Sequence, residues 1–244
     1  MTRIMDIHSH ILPGLDDGAE DMQESIQMLD QAWRQGITEV VATPHYSFMY
    51  PNICPDRIRT LCREVQKRAR QELDADIRII PGQEIMYSED VVDLLEEGKL
   101  LTIGGSRHVL TEFRPDVSYS YIFRAVKDLV FAGYIPIIAH AERYGAVRTA
   151  GRVEELRGQG ALIQLNSRSA GGKWYHDTTR WCRRLLRKEM VDLFGTDMHN
   201  IRERSPETKS AVEWMKKSLK EEYVERVLYK NGLGVIRGFR NSSQ

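Results

Sequence analysis

Histidines and aspartates stand in this sequence at spacings that suit the binding of metal ions. The stretch MDIHSHILPGLDDGAED (residues 5–21) places His8 and His10 one residue apart, and the later stretch GTDMHN places Asp197 and His199 at the same spacing. Residues i and i+2 of a β-strand point to the same side, so each pair can offer two ligand atoms to one cation. Both pairs follow apolar runs, and other runs of the chain end in the same way.

Seven short apolar runs alternate with segments of helical period, which is the pattern of repeated βα units. The runs are RIMDIH, TEVVATPH, IRIIPGQE, HVLTEF, IPIIAHAE, ALIQLN and VDLFGTDMH. Helices are predicted at 21–35, 55–73, 88–97, 118–132, 152–158, 174–188 and 205–218, with a closing helix in EEYVERVLYKNGLGVI. No sequence repeat, low-complexity block or proline-rich linker interrupts these units, so we predict one domain over residues 1–244.

Candidate ligands end every run except the sixth. The C-terminal ends of the strands of a parallel barrel converge on one face, where such folds build their active sites. A single histidine there is more often a buried, hydrogen-bonded side chain than a ligand. Eight candidates at one position of the repeat predict a shared pocket, and imidazoles with carboxylates suit zinc, manganese or iron. The eight residues are His8, His10, His45, Glu84, Glu112, His140, Asp197 and His199.

Spacing alone does not determine the roles of three aspartates around the first strand. Asp6 lies on the same face as His8 and either orients an imidazole or forms a hydrogen bond at the edge of the core. Asp16 is expected in a surface turn that leads to a helix cap at Asp21. Asp17 is favoured as a metal ligand, on the family resemblance given below.

The charge balance and the apolar runs limit the partners and the location. Lysine plus arginine (35) equals aspartate plus glutamate (35), so no net field favours nucleic acid or an anionic membrane. The sequence shows no secretory signal and no apolar run near the roughly 20 residues that span a bilayer. We therefore expect a protein without stable membrane insertion.

The three cysteines, Cys54, Cys62 and Cys182, form no C-x-x-C pair and suit a reducing, cytoplasmic location. Cys62 and Arg68 match the C-x5-R spacing of cysteine-dependent phosphatases. The intervening residues contain no glycine and read as the middle of a helix, whereas a phosphate loop needs a nest of backbone N–H groups. We interpret this match as chance.

Five stretches, in order across nearly the whole chain, carry a likeness to a known superfamily: DIHSHILPGLDDGAED, QGITEVVATPHY, IIPGQEI, GYIPIIAHAER and GTDMHN. They resemble the polymerase and histidinol phosphatase (PHP) superfamily, and within it the manganese-dependent tyrosine-protein phosphatases of bacterial capsule and exopolysaccharide operons. The resemblance implies an α/β fold, a distorted (β/α)7 TIM-like barrel, with three divalent metal ions. Mn²⁺ is the expected ion, with Zn²⁺ or Fe as alternatives.

The resemblance also implies a role for each matching residue. It assigns a first metal to His8, His10, Glu84 and Asp197, a second to Glu84, Glu112 and His140, and a third to Asp17, His45 and His199. Arg143, in HAER, and Arg204, after TDMHN, match the family's phosphate-binding arginines and are the expected catalytic residues.

The implied function is hydrolysis of phosphotyrosine by metal-activated hydroxide, with the tyrosine-rich tail of a bacterial autokinase that controls polysaccharide synthesis as the expected partner. A histidinol-phosphate phosphatase, or another PHP-type phosphoesterase, is the alternative, and histidinol phosphate would require an acidic pocket for its ammonium group. An amidohydrolase is more distant, since no lysine stands at a strand end as a candidate for carboxylation. A catalytically idle metal-binding scaffold is the alternative from another class.

Some residues depart from the family pattern. Ala141 replaces an expected proline, Tyr144 an expected asparagine and Tyr46 an expected second histidine, and the loop 166–176 is atypical. We expect all of these at the mouth of the pocket, where they bear on the substrate. Aromatic residues that either line this mouth or pack beneath its loops are Tyr46, Phe48, Tyr50, Trp174 and Tyr175.

Overall fold

A computed structural model describes residues 2–237 of the chain. Its strands are β1 (Ile4–Ser9), β2 (Ile37–Ala42), β3 (His45–Tyr46), β4 (Arg78–Pro81), β5 (Glu84–Met86), β6 (His108–Glu112), β7 (Ile135–Ile138), β8 (Leu162–Asn166) and β9 (Leu193–Gly195). They pair in parallel in the orders β1-β2-β4 and β3-β5-β6-β7-β8-β9.

The nine strands of residues 2–237 occupy seven positions around a barrel. Strands β2 and β3 are separated by two residues, as are β4 and β5, so each pair acts as one interrupted strand of the barrel. At the closing edge the Asp197 N–H donates to the His8 carbonyl (2.8 Å), and the His10 N–H donates to the Met198 carbonyl (2.9 Å). The distorted (β/α)7 barrel predicted from the sequence is therefore confirmed.

The helices are α1 (Met22–Arg34), α2 (Pro55–Glu72), α3 (Val91–Glu96), α4 (Tyr119–Phe131), α5 (Arg152–Gly158), α6 (Ser167–Gly171), α7 (Asp177–Arg187), α8 (Lys209–Ser218), α9 (Glu221–Glu225) and α10 (Asn231–Arg237). Each predicted helix is present. Helix α6 was not predicted and lies in the atypical loop. The closing helix differs from its prediction, because a π-helical turn at Arg226–Lys230 separates α9 from α10.

Caps and glycines turn the chain between helices and strands. Asp21 caps α1 as predicted, since its side chain accepts a hydrogen bond from the Glu24 N–H (2.8 Å). Gly36, Gly133 and Gly160 adopt φ values of 92°, 82° and 100° just before β2, β7 and the approach to β8. These left-handed positions favour glycine because a side chain would be strained there.

A cluster of apolar side chains lies along the strands, before the C-terminal ends that carry the candidate ligands. Met5, Ile7, Val41, Leu110 and Ile137 pack together with residues of α10. Burial of this cluster stabilises the barrel and leaves the strand ends to polar groups. Among residues 2–237, no helix combines the length and the apolar character that crossing a membrane requires.

Candidate metal centre

The nine side chains expected as ligands lie together where the strands end. Their nitrogen and carboxylate oxygen atoms form four overlapping groups, each with its atoms within 4.8 Å of one another. Such spacing suits coordination of one cation by several side chains. The groups are His10, Asp17, His45 and His199; His8, His140 and Asp197; His8, His10 and Glu84; and His45, Glu84 and Glu112.

Glu84 lies at the centre of the cluster and is fully buried. Its Oε2 atom is 3.1 Å from His8 Nε2, 3.2 Å from His10 Nε2 and 3.1 Å from His45 Nδ1. Its Oε1 atom is 2.8 Å from His140 Nε2. One carboxylate therefore borders four imidazoles, an arrangement that suits a bridging ligand.

The spatial groups overlap the three ligand sets implied by the resemblance without reproducing them. The implied third set lies together, and His10 joins it. In the second, His45 occurs beside Glu84 and Glu112, while His140 Nε2 lies 3.5 Å from Glu112 Oε1. The ligand roles therefore remain predictions, although the residues themselves lie in one pocket.

Gln164 determines which nitrogen of His8 faces the cluster. The His140 N–H donates to Gln164 Oε1 (2.7 Å), so this atom is the side-chain oxygen. His8 Nδ1 lies 3.3 Å from the same oxygen and must act as the donor. With Nδ1 engaged in this hydrogen bond, Nε2 is the nitrogen of His8 that faces the cluster.

The other buried imidazoles are held in the same orientation. His10 Nδ1 contacts Asp16 Oδ2 (2.7 Å), and His199 Nδ1 donates to the Asp197 carbonyl (3.0 Å). Hydrogen bonds of this kind fix the tautomer of metal-binding histidines and raise their basicity. In each case Nε2 is the nitrogen left for a ligand role.

Asp16 was predicted to lie in a surface turn, but the structure buries its side chain beside His10. Its side chain is 1% exposed and accepts hydrogen bonds from the N–H groups of Gly18 and His45, besides its contact with His10. Gly18 packs so closely on His10 that a Cβ atom would lie 2.1 Å from the His10 carbonyl oxygen. The tight turn therefore serves to bring Asp16 under the histidine.

Asp6 forms the hydrogen bond at the core edge that was one of its two interpretations. Its carboxylate accepts from the Thr196 N–H and hydroxyl and from the backbone N–H of His8, and no imidazole of residues 2–237 donates to it. Burial raises the pKa of Asp6 to about 6, although the bonds from Thr196 oppose this rise. Asp6 therefore joins the ends of β1 and β9.

Five buried side-chain atoms have no hydrogen-bond partner among the described residues, and two of them, Glu84 Oε2 and His199 Nε2, belong to candidate ligands. The nitrogens near Glu84 Oε2 are close to it but lie outside hydrogen-bonding geometry. Burial and the neighbouring charge of His10 lower the pKa of His199 to about 4, so its Nε2 keeps a lone pair at neutral pH. Buried unsatisfied polar atoms are rare, and bound cations would satisfy both of these atoms. The donor set therefore fits divalent metal ions.

The histidines and carboxylates compensate one another's charge. Burial lowers the pKa of His45, but the carboxylates of Asp17 and Glu112 outweigh it and raise this pKa to about 10. Burial also lowers the pKa of His140, but the carboxylates of Glu112 and Glu84 outweigh it and raise this pKa to about 9. Such strong mutual shifts are typical of functional sites.

Two candidate ligands have a strained backbone. His140 has φ 31° and Asp197 has φ 54°, in the left-handed region that side chains other than glycine rarely adopt. Such strain costs on the order of 1–3 kcal/mol per residue and concentrates at functional sites. Both residues stand at strand ends, where the strain directs their side chains into the pocket.

The two expected catalytic arginines meet at Asp197. Arg143 Nη2 donates to Asp197 Oδ2, and Arg204 Nη2 donates to Oδ1 (2.9 Å). Arg204 Nη1 also lies 3.5 Å from Asp17 Oδ2. The two arginine side chains are 40% and 38% exposed, so both guanidinium groups border solvent at the rim of the cluster.

The sixth run contributes two residues that sequence reasoning missed. Gln164 contacts His8 and His140, and its amide donates to Asn166 Oδ1 (2.9 Å), whose own amide donates to Asp197 Oδ2 (2.9 Å). The i, i+2 spacing of these amides in QLN was the available signal. An amide is not a typical ligand of these metal ions, so this spacing does not itself indicate a metal site.

Two residues that depart from the family pattern are buried more deeply than predicted. Ala141 and Tyr144 are fully buried and do not line the mouth, which corrects their predicted position. Tyr144 instead accepts from the Phe113 N–H (3.1 Å) and lies 3.2 Å from His140 Nδ1. It therefore supports a candidate ligand from behind.

The aromatic residues expected either to line the mouth of the pocket or to pack beneath its loops differ in their exposure. Phe48, Trp174 and Tyr175 are exposed, whereas Tyr46 and Tyr50 are half-buried. The Tyr50 ring stacks on His45 with ring centroids 5.8 Å apart and planes 7° apart. Tyr50 therefore borders the cluster directly.

Cys62 lies in the middle of α2 and is buried, and burial raises its pKa to about 12. A thiol with this pKa is a poor nucleophile. Arg68, on the same helix, pairs with Glu72. The interpretation of the C-x5-R spacing as chance is consistent with this position.

Fold and site together define a TIM-like barrel protein whose pocket holds a cluster of His, Asp and Glu side chains that could bind metal. Residues 4–237 match the family model described as capsular polysaccharide synthesis, CpsB/CapC. The sequence is 34% identical over 221 residues to tyrosine-protein phosphatase YwqE of Bacillus subtilis, which covers 90% of this chain and 86% of the relative. The chain belongs to the CpsB/CapC family.

Solved structures agree with this assignment. A structure from a study of YwqE from Bacillus subtilis and CpsB from Streptococcus pneumoniae, named there as unique metal-dependent tyrosine phosphatases, matches with a TM-score of 0.88 at 32% identity. The match covers 96% of this chain and 95% of that one. A phosphotriesterase homology protein of Escherichia coli matches with a TM-score of 0.60 at 12% identity over 96% of this chain and 99% of its own, which shows the fold alone.

Proposed function

We propose that this protein is a metal-dependent protein-tyrosine phosphatase. The single observation that carries the proposal is the pocket of nine candidate ligands with two guanidinium groups at its rim, in a chain of a family whose relatives are named tyrosine phosphatases. We further propose three bound ions, Mn²⁺ in preference to Zn²⁺ or Fe, held by the ligand sets that the resemblance implies. One domain over residues 1–244 carries this activity.

The residues of the site have separable roles in this reaction. Divalent cations in such a pocket lower the pKa of water and neutralise phosphate oxygens. Arg143 and Arg204 bind the equatorial oxygens, because planar guanidinium groups match phosphate geometry and the charge on these oxygens must be stabilised during transfer. Glu112 and Asp17 are 14% and 48% exposed, so the substrate approaches from their side.

Aryl phosphates are the preferred monoesters. The phenol of tyrosine has a pKa of about 10, well below that of a serine alcohol, so it leaves without much help from a general acid. We propose that the physiological partner is the tyrosine-rich tail of a bacterial autokinase of capsular polysaccharide synthesis, and that the protein acts in the cytoplasm. A flexible tail can enter the open rim beside Tyr50 and Phe48.

Turnover of p-nitrophenyl phosphate before and after chelation tests this function. Activity is expected to disappear with EDTA and to return on addition of Mn²⁺, with Zn²⁺ and Fe²⁺ compared in parallel and metal content measured by elemental analysis. A phosphotyrosine peptide should be hydrolysed faster than histidinol phosphate, because the two guanidinium groups at the rim would repel an ammonium group carried by the substrate.

Three results would contradict the proposal. Preference for histidinol phosphate would assign the protein to the alternative phosphatase. Stoichiometric metal without turnover of either substrate would favour the idle scaffold. Turnover that survives complete removal of metal would exclude the proposed chemistry.

The substitution Tyr144→Phe should weaken metal binding through His140. Loss of the hydroxyl removes the group that orients His140 Nδ1, and removal of such partners typically lowers metal affinity 10–100-fold. The Phe113 N–H also loses its acceptor, which costs about 1–3 kcal/mol of folding stability. Calorimetric titration with Mn²⁺ measures the affinity, and denaturant unfolding in EDTA measures the stability.

Tyr223→Phe is a matched control for this variant. The buried Tyr223 hydroxyl also accepts from a backbone N–H, that of Val191 (3.2 Å), and its described hydrogen bonds involve no candidate ligand. We expect this control to lose similar stability and to bind Mn²⁺ normally. Equal Mn²⁺ affinity in both variants would remove the role assigned to Tyr144.

A further inference from the structure

The outer face of α7 carries a group of positive charges. Arg180, Arg184 and Arg187 are exposed at positions i, i+4 and i+7, which lie on one face of a helix, and the half-buried Arg183 lies beside them. The opposite face packs into the core through residues that include Leu185 and Leu186. A chain with no net charge therefore concentrates four arginines on one helix.

These arginines are mostly without acidic partners. No carboxylate of residues 2–237 lies within 4.0 Å of Arg183, Arg184 or Arg187, although Arg180 pairs with Asp177. Arg34, on α1, does pair with a carboxylate four residues away, that of Asp30 (2.7 Å). Burial and the neighbouring Arg187 charge lower the pKa of Arg183, as expected for guanidinium groups that repel one another.

A series of contacts joins this face to the metal centre. Arg183 donates to the carbonyls of Ala170 (3.0 Å) and Gly172 (3.1 Å), at the end of α6. Helix α6 follows the end of β8 directly. From its first turn Arg168 donates to the Ser205 hydroxyl (3.2 Å).

Ser205 adjoins Arg204, whose guanidinium borders the metal centre. A line of arginines therefore runs from the rim of the pocket to the outer wall. We call Arg168, Arg180, Arg183, Arg184 and Arg187 the basic track.

Aromatic rings accompany the basic track. The guanidinium groups of Arg183 and Arg187 lie over the Trp214 ring, 4.8 and 5.2 Å from its centroid. Trp174 and Tyr175, just before α7, are 73% and 51% exposed. Arginines next to open aromatic rings suit a ligand that carries both anionic groups and rings.

We propose that the basic track binds the phosphotyrosines that flank the one being hydrolysed, so that a multiply phosphorylated, tyrosine-rich segment is held along α7 while one residue enters the pocket. The inference rests on the proposed function and adds a preference among its substrates. Each phosphotyrosine carries a charge of about −1.5 to −2 at neutral pH and matches the planar donors of arginine. Simultaneous binding at the pocket and at the track raises affinity through effective concentration.

Charge reversal at the distal part of the track tests the proposal. Arg184→Glu/Arg187→Glu is compared with Lys67→Glu/Arg70→Glu on α2, which changes the net charge equally on another exposed basic helix surface. The substrates are a peptide with several phosphotyrosines, a peptide with one phosphotyrosine and neutral flanks, and p-nitrophenyl phosphate. Arg184→Gln/Arg187→Gln serves as a second variant in case glutamates disturb the end of α7.

The α7 variants should raise KM for the multiply phosphorylated peptide about tenfold. Their kcat, and the turnover of both smaller substrates, should stay near the unaltered values. The α2 variant should leave all three substrates near their original KM. Added salt should weaken the preference of the unaltered protein for the multiply phosphorylated peptide and have less effect on the α7 variants.

Several results would overturn the inference. These are an unchanged KM in the α7 variants, an equal increase in the α2 variant, or an equal loss with the small substrates. Binding of the labelled multiply phosphorylated peptide in EDTA, measured by fluorescence anisotropy, tests the track without catalysis, so a failed phosphatase assay would not obscure it. Equally tight binding of a single-stranded RNA or of anionic vesicles in EDTA would replace the phosphotyrosine segment by another partner.

Discussion

Glu84→Gln is expected to abolish hydrolysis of p-nitrophenyl phosphate and to lower the metal content of the purified protein. Glu84 borders four imidazoles within 3.2 Å, and each overlapping ligand set near it loses its central charge in this variant. A loss on the order of 10³-fold in kcat corresponds to about 4 kcal/mol, the upper range for removal of one group that stabilises transition-state charge. Elemental analysis and steady-state kinetics on the same preparation measure both effects.

Glu39→Gln is the matched control. Glu39 is also a buried strand glutamate, but its partners are Arg3, Thr38 and Tyr229, away from the cluster. This variant should alter stability and keep both metal content and turnover. Normal turnover in Glu84→Gln, or equal losses in the two variants, would contradict the central role of Glu84.

The convergence of the candidate ligands was predictable because it follows from the repeat. A residue after each parallel strand of a barrel lies on the same face whatever the sequence distance, so His8 and Asp197 can be placed together from the strand pattern alone. The helix limits followed similarly from periodicity and from caps such as Asp21. These features depend on local patterns that the sequence displays openly.

The groups that support the ligands were not predictable in this way. Gln164 contacts His8 across 156 positions of sequence, and the i, i+2 spacing of its amide with Asn166 does not show which distant side chains the amide meets. Asp16 looked like a turn residue because the approach of Gly18 to His10 depends on packing. Tyr144 looked like a residue of the mouth, whereas the fold turns its ring inward. Each error concerns a partner in space rather than a residue type.

Net charge alone does not predict how charge is distributed over the surface. The equality of acidic and basic residues argues against a net long-range field, but it does not reveal how the charges are separated on the surface. Acidic side chains gather in the pocket around Glu84 and Asp197, and arginines gather on α7. In the proposed function, the acidic pocket would hold the metal ions and the arginines of α7 would bind the anionic substrate.

Arg143→Lys is expected to lower kcat/KM for a phosphotyrosine peptide about 10²-fold while metal content stays unchanged. Lysine keeps the charge but loses the planar pair of donors that fits two phosphate oxygens. In the structure Arg143 is held by Asp197, which also accepts from Arg204 and Asn166, so the guanidinium is already positioned at the rim. Inhibition by inorganic phosphate should weaken in parallel, because the product uses the same donors.

Arg114→Lys, at an exposed pair with Asp116, controls for a general effect of replacing arginine and should leave every parameter near its original value. A loss of metal in Arg143→Lys would show that the arginine acts by holding Asp197 rather than by binding phosphate. A change in kcat/KM of less than about twofold, well under the effect of removing a donor to the reacting group, would exclude Arg143 from the reaction. Because phosphate inhibition reports binding without turnover, the two assays together distinguish an arginine that meets the substrate from one that only orders the pocket.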